Sequence, residues 1–339
     1  MKSFLKRKHI NPSFHTYFVT AMGAMAYGLF ASLLVGTILN TLGQQLNIPF
    51  LTEVLWPIAG QASGAAIAVA IAYSLHAPDL VLFSSTLVGI GAYELGGPVG
   101  VYIATVVAAE FGKLVSKETK VDILVTPITT VLVGLLVGTF IGPYIQNLMV
   151  WIGNLIMAAT NQQPLIMGAL VSTIVGLTLT LPISSAALCM MLGLSGLAGG
   201  AATVGCCCQM VGFAVISFRD NGLEGLLAQG LGTSMLQIPN IVKNWKIWIP
   251  PTLASLILGP VATVLFKMEN TPLGSGMGTS GLVGQIGTLN AMASSLPTGQ
   301  LLGRIGLLQI LLPGLVTYFI YALMRKMGHI KDGDMRLEG

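Results

Sequence analysis

The chain has 339 residues, of which 54% are hydrophobic and 8% charged, with a mean hydropathy of +0.82 and a net charge of +4. A soluble domain of this length needs far more charge on its surface, so composition excludes a globular cytosolic enzyme. The basic residues lie at the ends and in short loops, which excludes a nucleic-acid face and makes them topology markers.

Recurrent apolar runs approach the ~20 residues that cross a bilayer as helix, and 42 glycines suit close helix packing and broken helices. The fold class is an all-α polytopic membrane protein with about ten transmembrane helices plus re-entrant hairpins. Lys2, Lys6, Arg7, Lys8 and His9 precede the first span, residues 18–42. Residues 56–75 form the second span, which His76-Ala-Pro-Asp79 closes. Residues 80–95 and 99–115 form the third and fourth, parted by Gly96-Gly97-Pro98, and Lys113, Lys117 and Lys120 then mark a cytoplasmic loop. Residues 123–141 are a fifth span, and 144–160, with Gln146, Asn147 and Asn154, read as an interfacial helix.

Residues 164–181 and 192–218 are the sixth and seventh spans, with a break at residues 182–185. Residues 223–238 are short and glycine-containing, and read as an eighth, discontinuous crossing before Lys243 and Lys246. That count puts Arg219 outside. Residues 249–266 and 305–324 complete the ten. Arg325, Lys326, Lys331 and Arg336 follow, so both termini are expected in the cytoplasm and the number of crossings is even. Domain organisation is then a cytoplasmic segment 1–17, one transport domain 18–325 and a cytoplasmic tail 326–339. Cys206, Cys207 and Cys208 point in three directions on a helix, which suits small core residues better than a metal site. No cofactor is expected.

The loop of residues 268–303 joins an acid, amides, hydroxyls and glycines between two spans. Irregular backbone at membrane depth survives only inside protein or beside a watery cavity, so this loop is expected to re-enter and line a polar site. Glu269 is its leading candidate, with Asn270, Thr271, Thr279 and Ser280 as hydrogen-bonding partners for a solute. Gly276 and Gly278 are expected to let backbone groups approach the ligand. Gln237 and Asn240 flank Pro239 at an expected helix break and join the candidate set, as do His76 at a helix junction and Glu94 before Gly96. The glycine run lacks the Gly-Lys-Ser/Thr end of a nucleotide P-loop.

Gln237-Ile-Pro-Asn-Ile-Val-Lys-Asn, Trp248-Ile-Pro-Pro-Thr, Gly259-Pro-Val-Ala-Thr and Met268-Glu-Asn-Thr-Pro, followed by Gly-Met-Gly-Thr-Ser-Gly-Leu-Val-Gly, resemble one family. It is the IIC-like membrane-domain family of the bacterial phosphotransferase system that includes regulators related to the perfringolysin regulator. The resemblance implies a glucose-superfamily IIC-like fold, a homodimer in the bacterial cytoplasmic membrane, and a loop glutamate, Glu269 here, that binds sugar hydroxyls. A histidine contributes in that family, and His76 lies far upstream of the motif. It also implies that separate IIA and IIB proteins would supply any phosphoryl group, since no IIB-type segment is visible, so the chain is not an enzyme on its own. The expected function is a carrier for a sugar or similar small polar solute. A membrane solute sensor, or an ion-coupled secondary transporter using Glu94, are the alternatives.

Overall fold

Lipid offers backbone groups no partner, so apolar runs of this length close their hydrogen bonds within helices. The computed structural model describes residues 2–10 and 12–337; Met1 and Asn11 of the N-terminal segment and Glu338 and Gly339 of the tail lie outside the described residues. The spanning candidates are α1 (Thr16–Leu46), α2 (Phe50–Ser74), α3 (Asp79–Val115) and α4 (Asp122–Thr160). After the shorter helices α5 (Pro164–Thr180) and α6 (Ser185–Met191) come three more, α7 (Gly196–Ile216), α8 (Trp245–Leu265) and α9 (Thr298–Lys326). Those seven are long and apolar enough to cross a membrane among the described residues. The chain divides into two compact units, Met1–Leu148 and Met149–Gly339.

In the first unit, α3 would measure about 55 Å if straight, against a hydrocarbon core of about 30 Å. It is a hairpin instead. Gly96 (φ −153°, ψ 17°) and Gly97 (φ 57°, ψ −154°) leave helical geometry, and beyond them Gly112 comes back against the Val81 side chain. Gly97 needs a left-handed φ that a side chain would oppose, and Pro98 opens the returning arm, where its missing N–H is harmless. The expected third and fourth spans are therefore the two antiparallel arms. Residues 123–141 and 144–160, expected as separate elements, are one helix in α4. Gly142 packs on Leu95 and Ile145 on Gly96, so packing carries the helix across Pro143.

The buried Lys113 ammonium gathers one end of this unit. It donates to the carbonyls of His9 and Leu75, each at 3.0 Å, and to Glu110 at 2.9 Å. Lys8 bonds the Ser116 carbonyl and pairs with Glu118 at 2.6 Å, where Arg7 also reaches it at 2.8 Å. The Lys8 hydrogen bond holds the Glu118 carboxyl below the usual carboxylate range. Arg7, Lys8 and Lys113 thus share an end.

The second unit is built around α7, the most completely buried of the spanning helices. Its neighbours fix directions. Thr180 of α5 donates to Gln209 of α7 at 3.1 Å and Gly176 lies against Gly205, so α5 and α7 run parallel. Ser255 of α8 donates to the Gly205 carbonyl at 3.2 Å and Gln209 to Thr252 at 3.3 Å, so α8 is antiparallel to both. Leu308 packs with Val204 and Cys208 while Thr317 meets Gly212, which makes α9 parallel to α7.

Two corrections follow from these directions. Since α5 and α7 are parallel, residues 181–195 carry the chain back along α7 from the level of Gln209 to Gly196, about 20 Å of helix rise. They are a return pass rather than a simple break. Residues 223–238 do not cross. The segment 218–243 leaves α7 at Ser217, which accepts from Gln229 at 2.8 Å, and reaches inward to Ser234, bonded to Thr180 at 2.8 Å. It then comes back to Gln237, whose amide donates to Gln229 at 2.9 Å. Arg219 therefore lies at the same end as Lys243, Lys246 and Arg325, and the charge outlier disappears.

Candidate functional site

The loop after α8 begins beside the other end of α7. Met268 is buried against Gly200, where a Cβ would collide with its carbonyl. Asn270 and Gly196 exchange two backbone hydrogen bonds, at 3.1 and 3.2 Å. The loop then advances along α7. Ser275 donates to the Leu194 carbonyl at 2.7 Å, Gly278 lies on Cys206, and Thr279 reaches Met210 sulfur at 3.6 Å. From Gly200 to Met210 this covers about 15 Å. A helix from Val283 to Met292 brings the chain back, and Met292 sulfur accepts from the Glu269 N–H at 3.3 Å. The loop therefore enters and leaves at one end of α7 and turns at residues 279–282.

The turn meets the other fold-back segment. Ser280–Leu282 packs against Ala228–Gly232. Ser234 and Thr279 stand at the levels of Gln209 and Met210, so two segments entering from opposite ends of α7 reach the same depth. A helix that both flank is wholly buried there: Gln209, Met210, Cys206 and Cys207 are all at 0% exposure.

The sequence-derived candidates fall into distinct positions. Glu269 is exposed at the loop entrance, and its carboxylate forms no hydrogen bond or ion pair among the described residues. Asn270 is buried and fully used: its amide donates to Thr203 at 2.6 Å and to the Gly284 carbonyl at 2.9 Å, and its oxygen accepts from the Thr271 N–H at 2.7 Å. Asn270 therefore ties the two limbs of the loop together. Thr271 accepts from the Gly274 N–H at 3.3 Å and caps the short helix Pro272–Ser275. The close approaches that Gly276 and Gly278 serve are to Ser185 and Cys206, within protein. Ser185 also donates to the Gly276 carbonyl at 2.7 Å. Thr279 and Ser280 are buried at the turn.

Gln237 and Asn240 do not lie free beside a helix break. Gln237 donates to the Met335 carbonyl at 3.0 Å and accepts from Asn240 at 2.9 Å, and Asn240 donates to the Arg336 carbonyl at 2.9 Å. Their amides hold the C-terminal tail. Asp220 accepts from the N–H groups of Gly333 and Met335, and Asn221 from that of Leu337. His76 and Glu94 belong to the first unit. His76, at φ 55°, is exposed with its ring 6.3 Å from that of His9, and Glu94 is exposed two residues before the α3 turn. Gln285 reads from the sequence only as a lone amide in an apolar segment, and its partners Thr288 and Gln309 were missed. The available signal was an amide in an apolar helix at 309, which the hydrophobic run around it obscured.

A family model for the phosphotransferase system, EIIC, matches residues 19–337. The chain belongs to that EIIC family. It is accordingly a multi-pass membrane protein of the kind that forms the permease part of a sugar-transporting phosphotransferase system. No curated protein and no solved structure matches the chain.

Proposed function

We propose that this EIIC chain binds and translocates a sugar or similar small polar solute, with separate IIA and IIB proteins supplying any phosphoryl group. One observation carries the reading: two fold-back segments, 218–243 and 268–292, reach the same depth from opposite ends of a buried helix. Broken segments that meet at mid-depth are how many transporter folds place a polar site between two access routes. Glu269, exposed and unpaired at the entrance of one of them, is the first contact for the solute. Asn270 and Thr271 shape that entrance, and Thr279 and Ser280 line its inner end.

Basic residues concentrate at one end in each unit: Arg7, Lys8 and Lys113 in the first, and Arg219, Lys243, Lys246 and Arg325 in the second, against Lys267 and Arg304 at its other end. The positive-inside bias favours a cytoplasmic location for these ends and both termini in a bacterial plasma membrane. A homodimer fits the family resemblance.

The test is uptake of a sugar panel into sealed vesicles containing this chain, wild type beside Glu269→Gln. The substitution keeps size and removes charge. A charge-assisted hydrogen bond contributes roughly 1.5–3 kcal/mol, so affinity drops about 10- to 100-fold with the fold intact. Equal affinity in the variant removes Glu269 from the site. Specific binding without flux in the wild type favours a sensor.

A further inference from the structure

Beneath the turn of the 268–292 loop lies a chain of side-chain amides whose polarity is fixed. Thr288 spends its only hydroxyl proton on the Gly284 carbonyl, at 3.0 Å, so toward Gln309 it can only accept. That sets the Gln309 amide, which donates to Thr288 at 2.8 Å and turns its oxygen toward Gln285. Gln285 must then present its nitrogen, and it donates to Gln309 at 3.0 Å, with Cys207 sulfur at 3.6 Å as a second acceptor. Every donor in the series points the same way. The series ends on the Gln285 carbonyl oxygen, which is buried and has no partner. The Ser280 hydroxyl, also buried, has none either.

A second observation marks the same place. Gly278 (φ 54°), Gly281 (φ 53°) and Leu282 (φ 59°) are all left-handed, and the last is not a glycine. Backbone strain of this kind persists where surrounding structure enforces it, and it concentrates at ligand clamps. Leu282 is also exposed, at 45%, beside the buried Ser280. No charged side chain takes part in the cluster.

The geometry points to Ser280 Oγ and Gln285 Oε1 as a deep contact for the hydroxyl groups of an uncharged polyol or sugar, with Gln309 as the positioning residue that fixes the Gln285 acceptor. This rests on the carrier reading given above. Glu269 and the Ser280 turn are separated by about 15 Å along α7, so they are two stations on one path and not two contacts to one hydroxyl. The deep station accepts a hydroxyl proton at Gln285 and gives or takes one at Ser280. Having no cation, it discriminates against phosphorylated or carboxylated solutes.

The experiment measures binding of glucose, N-acetylglucosamine, mannitol and glucose 6-phosphate to the full purified chain, with deoxy forms of whichever neutral solute binds. Gln285→Met is expected to weaken that solute at least tenfold, to erase its advantage over one deoxy form, and to leave the melting temperature unchanged or raised. Gln309→Leu is expected to erase the same advantage with a smaller loss of affinity, which a merely structural role would not do. Gln285→Met and Ser280→Ala binding within twofold of wild type while Glu269→Gln fails overturns the deep station and leaves the carrier standing. A wild-type chain that binds nothing in the panel removes both.

Discussion

The two fold-back segments of the second unit share an architecture and differ in how their polar groups are used. Segment 218–243 is saturated. Gln229, Gln237 and Asn240 bond one another and the tail backbone, and Asp220 and Asn221 take its N–H groups. Segment 268–292 is anchored as firmly at its entrance by Asn270, yet its turn keeps a strained residue and two buried polar atoms without partners. Such groups are rare in folded chains and each calls for an explanation. The lesson is that an amide in an apolar segment is weak evidence for a ligand until its partners are counted.

The comparison breaks or sharpens at three places. Removing residues 329–339 deletes at least six hydrogen bonds that hold segment 218–243, and each contributes about 1 kcal/mol. Amide exchange there is expected to accelerate by roughly four orders of magnitude, or about 6 kcal/mol, with no change in 268–292. Equal acceleration in both segments would mean that they open as one piece. Next in size, Asn270→Ala removes its three side-chain hydrogen bonds, to Thr203, the Gly284 carbonyl and the Thr271 N–H, and releases the loop entrance, at a cost of about 3 kcal/mol read as a lower melting temperature. The smallest effect concerns the turn. A left-handed residue with a Cβ costs about 1–2 kcal/mol, partly offset by the extra freedom of an unfolded glycine. Leu282→Gly should therefore stabilise by about 0.5 kcal/mol in a denaturation series; a loss would show that its side chain contributes more than its strain removes.

Much of this organisation is legible locally. Gly96-Gly97-Pro98 predicts the α3 turn because glycine and proline act within a few residues, and the polar, glycine-rich run after Phe266 predicts the fold-back loop for the same reason. The parts that were not legible depend on partners far along the chain. Gln237 and Asn240 look available because the carbonyls they bind belong to Met335 and Arg336, almost a hundred residues later. Residues 181–195 look like a short break because only the parallel packing of α5 on α7 shows that they must travel back. Residues 223–238 read as a discontinuous crossing from sequence, with their shortness and Arg219 as the local signs against it. Gln285 was visible as a lone amide, but its orientation is set by Thr288 and Gln309, which no local pattern links to it.

The return pass has a consequence for biogenesis. Residues 181–195 are fewer than the ~20 that span a bilayer as helix, and α6 covers only part of them. Their ties to the later loop are the Ser185 hydroxyl on the Gly276 carbonyl, the Leu194 carbonyl under the Ser275 hydroxyl and, just beyond, Gly196 paired with Asn270. At ~5–20 residues per second, a ribosome delivers those partners roughly 4–18 s after the return pass itself is made. For that interval the nascent protein must be sheltered from lipid by the insertion machinery. The pairing of residues 185 and 196 with the later loop is then the step that closes the unit, and substitutions there should show first as degradation during synthesis rather than as lost transport.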